Sequence, residues 1–272
     1  MNTAELRAIA KELRVDIIRM LVEAGSGHPG GSFSCIDLLT ILFFHKMRHR
    51  PNDPQWAERD RLVLSKGHCV PALYAVLAKA GYFPREDLLT LRKLNSRLQG
   101  HPDHHRFPIL EASTGSLGQG LSLAVGMALA GKVSSRNNRI YCVISDGECQ
   151  AGQVWEAAMA APKFKLDNLT VLLDYNKIQL SGSVKDIMDV EPLLGKWQAF
   201  NWHTMELDGH DYPSVIQALD ESEKTKGKPT LILCHTVKGK GVSFMEGKWE
   251  WHGKAPSKEE GQRAIEEILA GA

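Results

Sequence analysis

Apolar residues at Leu6, Ile9, Ala10, Leu13, Ile17, Met20 and Leu21 recur at helical spacing and predict an amphipathic helix over 3–24, capped by Thr3. Beyond it, short apolar runs alternate with helix-compatible segments. The runs at 61–65, 140–144, 169–173, 202–207 and 229–236 predict strands. The segments at 35–44, 70–80, 86–94, 121–132, 213–222 and 258–269 predict helices, and another follows the second strand to about residue 161. The polar stretch 46–61, with Pro51 and Pro54, predicts a surface connection. This alternation predicts an α/β fold with a doubly wound, mainly parallel sheet and helices on both faces. There is no internal repeat or low-complexity segment, and residues 1–272 are read as a single domain.

Glycine clusters punctuate the pattern where histidines stand. Gly25-Ser26-Gly27-His28-Pro29-Gly30-Gly31 is too rich in glycine for regular structure and predicts a tight loop pressed against a ligand. Ser65-Lys66-Gly67-His68 follows a strand, which aims His68 at the ligand edge of the sheet. Gln99-Gly100-His101-Pro102 repeats the Gly-His-Pro arrangement. Of the eleven histidines, His28, His68, His101, His210 and His252 abut a glycine. Close-packed backbone beside an imidazole suits a ring that reaches a ligand, and four of the five are assigned to one. His210, in Asp208-Gly209-His210-Asp211, is read as a turn residue. His104 and His105 have no cysteine partners and are read as exposed loop residues rather than metal ligands. Small residues at 124, 126, 128 and 130 allow close helix packing, against a second subunit or equally within one domain.

The strand, helix and strand spanning 139–180 carry the most chemistry. A crossover of this length joins parallel neighbours, so Asp146 and Asn176 fall at the carboxyl ends of adjacent strands. One carboxylate and one amide oxygen, with the Ile178 carbonyl on the turn beyond, suit Mg2+, which completes its octahedron with phosphate oxygens and water. Gly147 lets backbone approach those phosphates. The plainer alternative is an ordinary strand-ending turn at Asp146-Gly147 and a cap at Asn176.

Composition narrows the function. With 43% hydrophobic and 24% charged residues the chain can bury a sizeable core. Its net charge of +1 gives no electrostatic case for nucleic acid or an anionic membrane, and favours small-molecule chemistry. The five cysteines form no Cys-x-x-Cys pair and read as reduced thiols of a cytoplasmic protein without a zinc site. Apolar stretches near the N-terminus fall short of the ~18 residues of a spanning helix, so no export or anchoring is expected. The glycines at 115–120 read GxxGxG, not GxGxxG, which argues against a nicotinamide cofactor.

SGHPGG at 26–31, SKGHC at 65–69, QGHP at 99–102, TGSLGQG at 114–120, DGE at 146–148, DNLTVLLDYNKI at 167–178, TVKGKG at 236–241 and WHGKAP at 251–256 together resemble transketolase, in order and spacing over nearly the whole chain. The resemblance implies a thiamine diphosphate-binding fold and transfer of a two-carbon ketol unit from a ketose phosphate to an aldose phosphate. It implies Asp146, Asn176 and the Ile178 carbonyl as ligands of Mg2+, with Ca2+ or Mn2+ as substitutes. Gly147, His68, Asn176, Lys238 and His252 match cofactor contacts, as do Gly115, Ser116 and Leu117 along the cofactor. His28, His101 and His252 match the catalytic histidines facing the donor sugar, and Glu156 matches an acidic cluster at the subunit interface. Full-length members continue with a pyrimidine-binding domain and a C-terminal domain. The chain is thus similar to the N-terminal subunit of a split transketolase, expected to act only with a partner carrying the pyrimidine-binding domain, as an α2β2 assembly in the cytoplasm. Carbohydrate metabolism of the pentose phosphate kind is implied.

Two positions depart from the family pattern. Ser145 stands where relatives usually have glycine, and Ala151 where they commonly have a glutamate of the acidic cluster; the second leaves room for a specialised branch. The alternatives are the alpha chain of a 2-oxo-acid dehydrogenase, against which the GHP and WHG motifs argue, and a non-catalytic regulatory remnant of the fold.

Overall fold

The computed structural model describes residues 1–271. Helices α1 (Thr3–Ala24) and α2 (Pro29–Ile41) precede β1 (Arg61–Leu64), α3 (Val70–Lys79) and α4 (Gln119–Val133). The central unit follows as β2 (Ile140–Ser145), α5 (Gly152–Lys163) and β3 (Leu169–Tyr175). A small hairpin of β4 (Ile178–Gln179) and β5 (Gly182–Ser183) leads into α6 (Val184–Met188) and α7 (Leu193–Ala199). The chain ends with β6 (His203–Asp208), α8 (Tyr212–Lys224), β7 (Thr230–His235) and α9 (Lys258–Ala270).

Five strands form one parallel sheet in the order β1-β2-β3-β7-β6. The chain steps one way from β1 to β3 and the other way from β6 to β7, so winding reverses between β3 and β7. Right-handed crossovers therefore put α5 and α8 on opposite faces. The buried residues agree. On β2, Tyr141 and Val143 pack with α1, α2, α3, α8 and α9, while Ile140, Cys142 and Ile144 pack with α4, α5 and α7. Alternate side chains of one strand thus feed two cores, which is why the strands read as continuous apolar runs. The reversal opens a crevice at the carboxyl ends of β3 and β7, and Asn176 and Lys238 lie on the segments leaving those ends.

The predicted elements stand, with differences that have local causes. Asn2, not Thr3, caps α1, through a capping box in which its side chain takes the Glu5 N–H and Glu5 returns to the Asn2 N–H. Residues 29–31 are not a loop. Pro29 opens α2, and Gly30 and Gly31 lie in its first turn. Glycine is required there by close approach, since a Cβ on Gly30 would lie 2.9 Å from the Trp251 carbonyl oxygen. Every residue of α2 is buried, so it shows no apolar stripe, and it passes at Leu42 into a π-helical turn rather than running to 44. The predicted 86–94 helix shortens to a 3-10 segment, Arg85–Thr90, beyond which Arg92 and Asn95 take left-handed backbone angles. On α4, Ala124 and Ala128 pack inward while Gly126 and Ala130 face outward, so the small residues split between two faces.

Candidate active site

Asp146 follows β2 and caps a 3-10 turn, where its Oδ1 accepts the Gly147 N–H at 2.7 Å. Its Oδ2 takes the Lys177 N–H from the segment beyond β3. One carboxylate thereby ties together the two strand ends that the pattern placed side by side. It is 1% exposed, and burial, then the charge of Asp174, push its pKa up to about 7. A buried carboxylate in that state gains from a nearby cation.

Asn176 is oriented by its surroundings. Its Nδ2 donates to Asp174 Oδ2 at 3.0 Å and its Oδ1 accepts the Ile178 N–H at 3.1 Å. Asp174 is fully buried and also accepts from Lys66 Nζ, the Ser34 hydroxyl and the Thr236 hydroxyl. An ionised carboxylate only accepts, so it turns the amide nitrogen of Asn176 to itself and keeps the amide oxygen on the far side. Burial would push Lys66 down, but Asp174 outweighs it and holds the ammonium above its ordinary pKa. Asp174, Lys66 and Ser34 are site residues that the motifs do not single out; the signal available was a lone acid inside the apolar run LTVLLDY and a lysine soon after β1.

Lys238 leaves β7 and turns into the same crevice at 2% exposure. Its ammonium donates to the Ile178 carbonyl at 2.9 Å and stands 2.7 Å from His252 Nδ1. Burial, then Lys66, lower its pKa to about 8. Asp146, Asn176, Ile178 and Lys238 are thus gathered from three separate segments.

Four imidazoles form the wall above. Ring centroids are 5.2 Å apart for His28 and His68, 5.4 Å for His28 and His252, 5.0 Å for His68 and His252, and 6.2 Å for His28 and His101. Burial, then His68, lower His28 to about 4; burial, then Lys238, lower His252 to about 3. His101 is lowered by burial and then by Arg92. These three rings are neutral at physiological pH, each with one donor and one acceptor nitrogen. Gly115 has φ +139°, and a Cβ there would stand 2.6 Å from His101 Cδ2, so the 114–117 loop fits against the ring only as glycine.

The sequence matches the family described as transketolase, thiamine diphosphate binding domain, over residues 5–270. The chain belongs to the transketolase family. It is 45% identical to the 6-deoxy-6-sulfo-D-fructose transketolase subunit SqwG of a Clostridium species, covering 97% of this chain and 96% of that protein. It is 40% identical to an apulose-4-phosphate transketolase subunit from Phocaeicola vulgatus, covering 98% and 95%. The crystal structure of transketolase from Campylobacter jejuni superposes with a TM-score of 0.93 at 35% identity, over 99% of this chain and 43% of that longer one. The transketolase match displaces the 2-oxo-acid dehydrogenase alternative.

The transketolase site has the character of a thiamine diphosphate pocket. His28 Nδ1 is buried without a hydrogen-bond partner, an unmet polar atom in the histidine wall. The Ile178 carbonyl already collects one positive charge from Lys238. Among the described residues no three His, Cys, Asp or Glu side chains converge as metal ligands. A donor set of one carboxylate, one amide and one carbonyl instead suits a hard cation that keeps phosphate and water ligands. Of the residues named from sequence, the structure brings together His28, His68, His101, His252, Lys238, Asp146, Asn176, Ile178, Gly115 and Gly147. Ser116, Leu117 and Glu156 are exposed, Leu117 by 42%. His104 and His105 are exposed as expected. No helix among the described residues is long and apolar enough to cross a membrane.

Proposed function

We propose that the chain, acting as one diphosphate-binding domain, is the cofactor-holding subunit of a two-chain transketolase that moves a two-carbon ketol unit between an anionic ketose and an aldose phosphate. The observation that carries this is the convergence of Asp146, Asn176, the Ile178 carbonyl and Lys238 beneath the histidine wall at the sheet's switch point. Thiamine diphosphate supplies the nucleophilic carbon and the electron sink for cleaving a carbon–carbon bond. Asp146, Asn176 and the Ile178 carbonyl hold Mg2+, or Ca2+ or Mn2+ in its place, and Lys238 with the backbone at Gly147 neutralises and cradles the diphosphate. His68 and His252 flank it, and Gly115, Ser116 and Leu117 run along the cofactor. Neutral His28, His101 and His252 accept or donate protons at the sugar hydroxyls as charge develops on oxygen.

Exposed apolar side chains support a partner. Leu117 beside the site, Leu123 on α4 and Met159 on α5 are 42%, 42% and 53% exposed. Glu156 is exposed on the same helix as Met159, and we assign that face to the contact within an α2β2 assembly in the cytoplasm. Relatives of this length are subunits named for a sulfosugar and for apulose 4-phosphate. We therefore place the chain in a specialised sugar branch rather than the pentose phosphate pathway. The test is purification of the tagged chain from its own cells in Mg2+ buffer, followed by native mass spectrometry. A second chain retained together with thiamine diphosphate, turning over 6-deoxy-6-sulfo-D-fructose or apulose 4-phosphate, supports the reading. Recovery of the chain by itself and free of cofactor overturns it.

A further inference from the structure

The loop that carries Lys238 is tied down from behind. Val237 N–H donates to His210 Nε2 at 2.9 Å, and Arg14 Nε donates to the Lys240 carbonyl at 3.1 Å. Both tethers end on one carboxylate, Asp37 of α2. Its Oδ2 accepts from His210 Nδ1 and from Arg14 Nη2, each at 2.7 Å. Its Oδ1 accepts from Arg14 Nη1 at 3.1 Å and from the Tyr212 hydroxyl at 2.6 Å. Asp37 and Arg14 are 4% and 9% exposed.

This arrangement fixes a tautomer. Because Val237 N–H is given to Nε2, the neutral ring carries its proton on Nδ1, and a carboxylate that only accepts is the partner that holds it there. Burial would raise the Asp37 pKa, but Arg14 and His210 outweigh it and hold the carboxyl below the usual range. The same helix meets the loop at its other end, where Gly239 N–H donates to the Gly30 carbonyl at 3.0 Å. A Cβ on Gly30 would lie 2.9 Å from Lys238 Cγ. Residues 237, 239 and 240 are thus all referred to α2, and Lys238 stands between them.

We propose that Asp37 and His210 are positioning residues that, through the backbone at Val237 and Lys240, hold Lys238 against the Ile178 carbonyl and His252 in the geometry that receives a diphosphate. The inference rests on the reading of Lys238 as a diphosphate contact. His210 therefore does more than make the turn read from its Asp-Gly-His-Asp sequence. A buried carboxylate with four donors costs desolvation that apolar packing would avoid, and its placement is explained by the loop it anchors.

Titration of the 272-residue chain with thiamine diphosphate and Mg2+, alongside amide hydrogen exchange, tests this. His210→Ala is expected to weaken binding about tenfold and to speed exchange at Val237 at least about tenfold, with the amides of β7 still protected. His210→Gln, which keeps an oxygen able to accept the Val237 N–H, is expected to stay within about threefold of the parent. In a Lys238→Met background, His210→Ala should add no further loss. The positioning role is overturned if His210→Ala weakens binding by the same factor in both backgrounds, or leaves exchange at Val237 unchanged. If Lys238→Met alone leaves affinity unchanged, the assignment of Lys238 fails instead. Asp37→Asn, close in shape, serves where His210→Ala does not fold, since an amide nitrogen facing His210 Nδ1 should produce the same exchange signature.

Discussion

Single side chains in this crevice are defined by what burial does to their charge. Asp146 is held at a pKa of about 7 by burial and by Asp174, so a cation beside it relieves a cost the fold imposes. Asp146→Ala should abolish Mg2+-dependent binding of thiamine diphosphate in a calorimetric titration; undiminished affinity would remove Asp146 from the metal site. The histidines act differently. His28→Ala and His101→Ala should leave cofactor affinity within about twofold while lowering turnover of the donor sugar by about a hundredfold or more, in line with loss of a proton-transfer group. His28 and His252 are depressed to about 4 and about 3, so the fold disfavours their protonation, and any stability cost appears only as pH falls below their unfolded value of 6.5. Their ring resonances should stay flat in an NMR titration from pH 8 down to about 5.5. A midpoint near 6.5 for either ring would show that it is not buried as described.

At the scale of elements, local chemistry explains both what the pattern predicts and where it errs. The strands are legible because parallel strands between two helical layers are apolar on both faces, as in Ile140–Ser145 and Leu169–Tyr175. The start of α2 is not legible. Glycine at 30 and 31 looks like a loop, yet here it clears space inside a helical turn for Lys238, Trp251 and Cys69. The cap of α1 is displaced by one residue because Asn2 and Glu5 close a reciprocal capping box, which leaves Thr3 as the first helical residue. Gly67 offers an element-level test. A Cβ there would lie 2.7 Å from the Thr114 carbonyl carbon and 2.8 Å from Gly115 N, both backbone atoms that cannot swing away. Gly67→Ala should push the 114–117 loop off the site, costing about 1–3 kcal/mol in urea unfolding and weakening cofactor binding together. Unchanged values in both would show that the loop yields freely.

For the whole molecule, the sheet order β1-β2-β3-β7-β6 decides where the chemistry sits. Reversal of winding between β3 and β7 leaves their carboxyl ends uncovered, and the loops bearing Asn176 and Lys238 fill that crevice with polar groups from distant parts of the chain. A ligand that bridges those loops should stabilise the entire fold. At a hundredfold excess over its Kd, thiamine diphosphate with Mg2+ should add about 2.7 kcal/mol, a rise in Tm of roughly 5–10 °C in a calorimetric scan. Chelation of the metal should return Tm to the unliganded value; a rise that survives chelation would dissociate cofactor binding from the cation.

What the sequence determined by itself was the five sheet strands, most of the helices packed on them, and the residue types gathered at the strand ends. Periodicity and glycine placement are local properties, and Asp146, Asn176 and the histidines beside glycine declared themselves through them, whereas Lys238 was marked only by the resemblance to transketolase. What only the tertiary structure decided was the supporting network. Asp174 with Lys66 and Ser34, and Asp37 with Arg14 and His210, join residues 23 to 173 positions apart in the chain. A lone acid in an apolar run hints at a buried charge, but no local signal says which residue pairs with it, because a buried charge is tolerable only once folding has brought its partners to it.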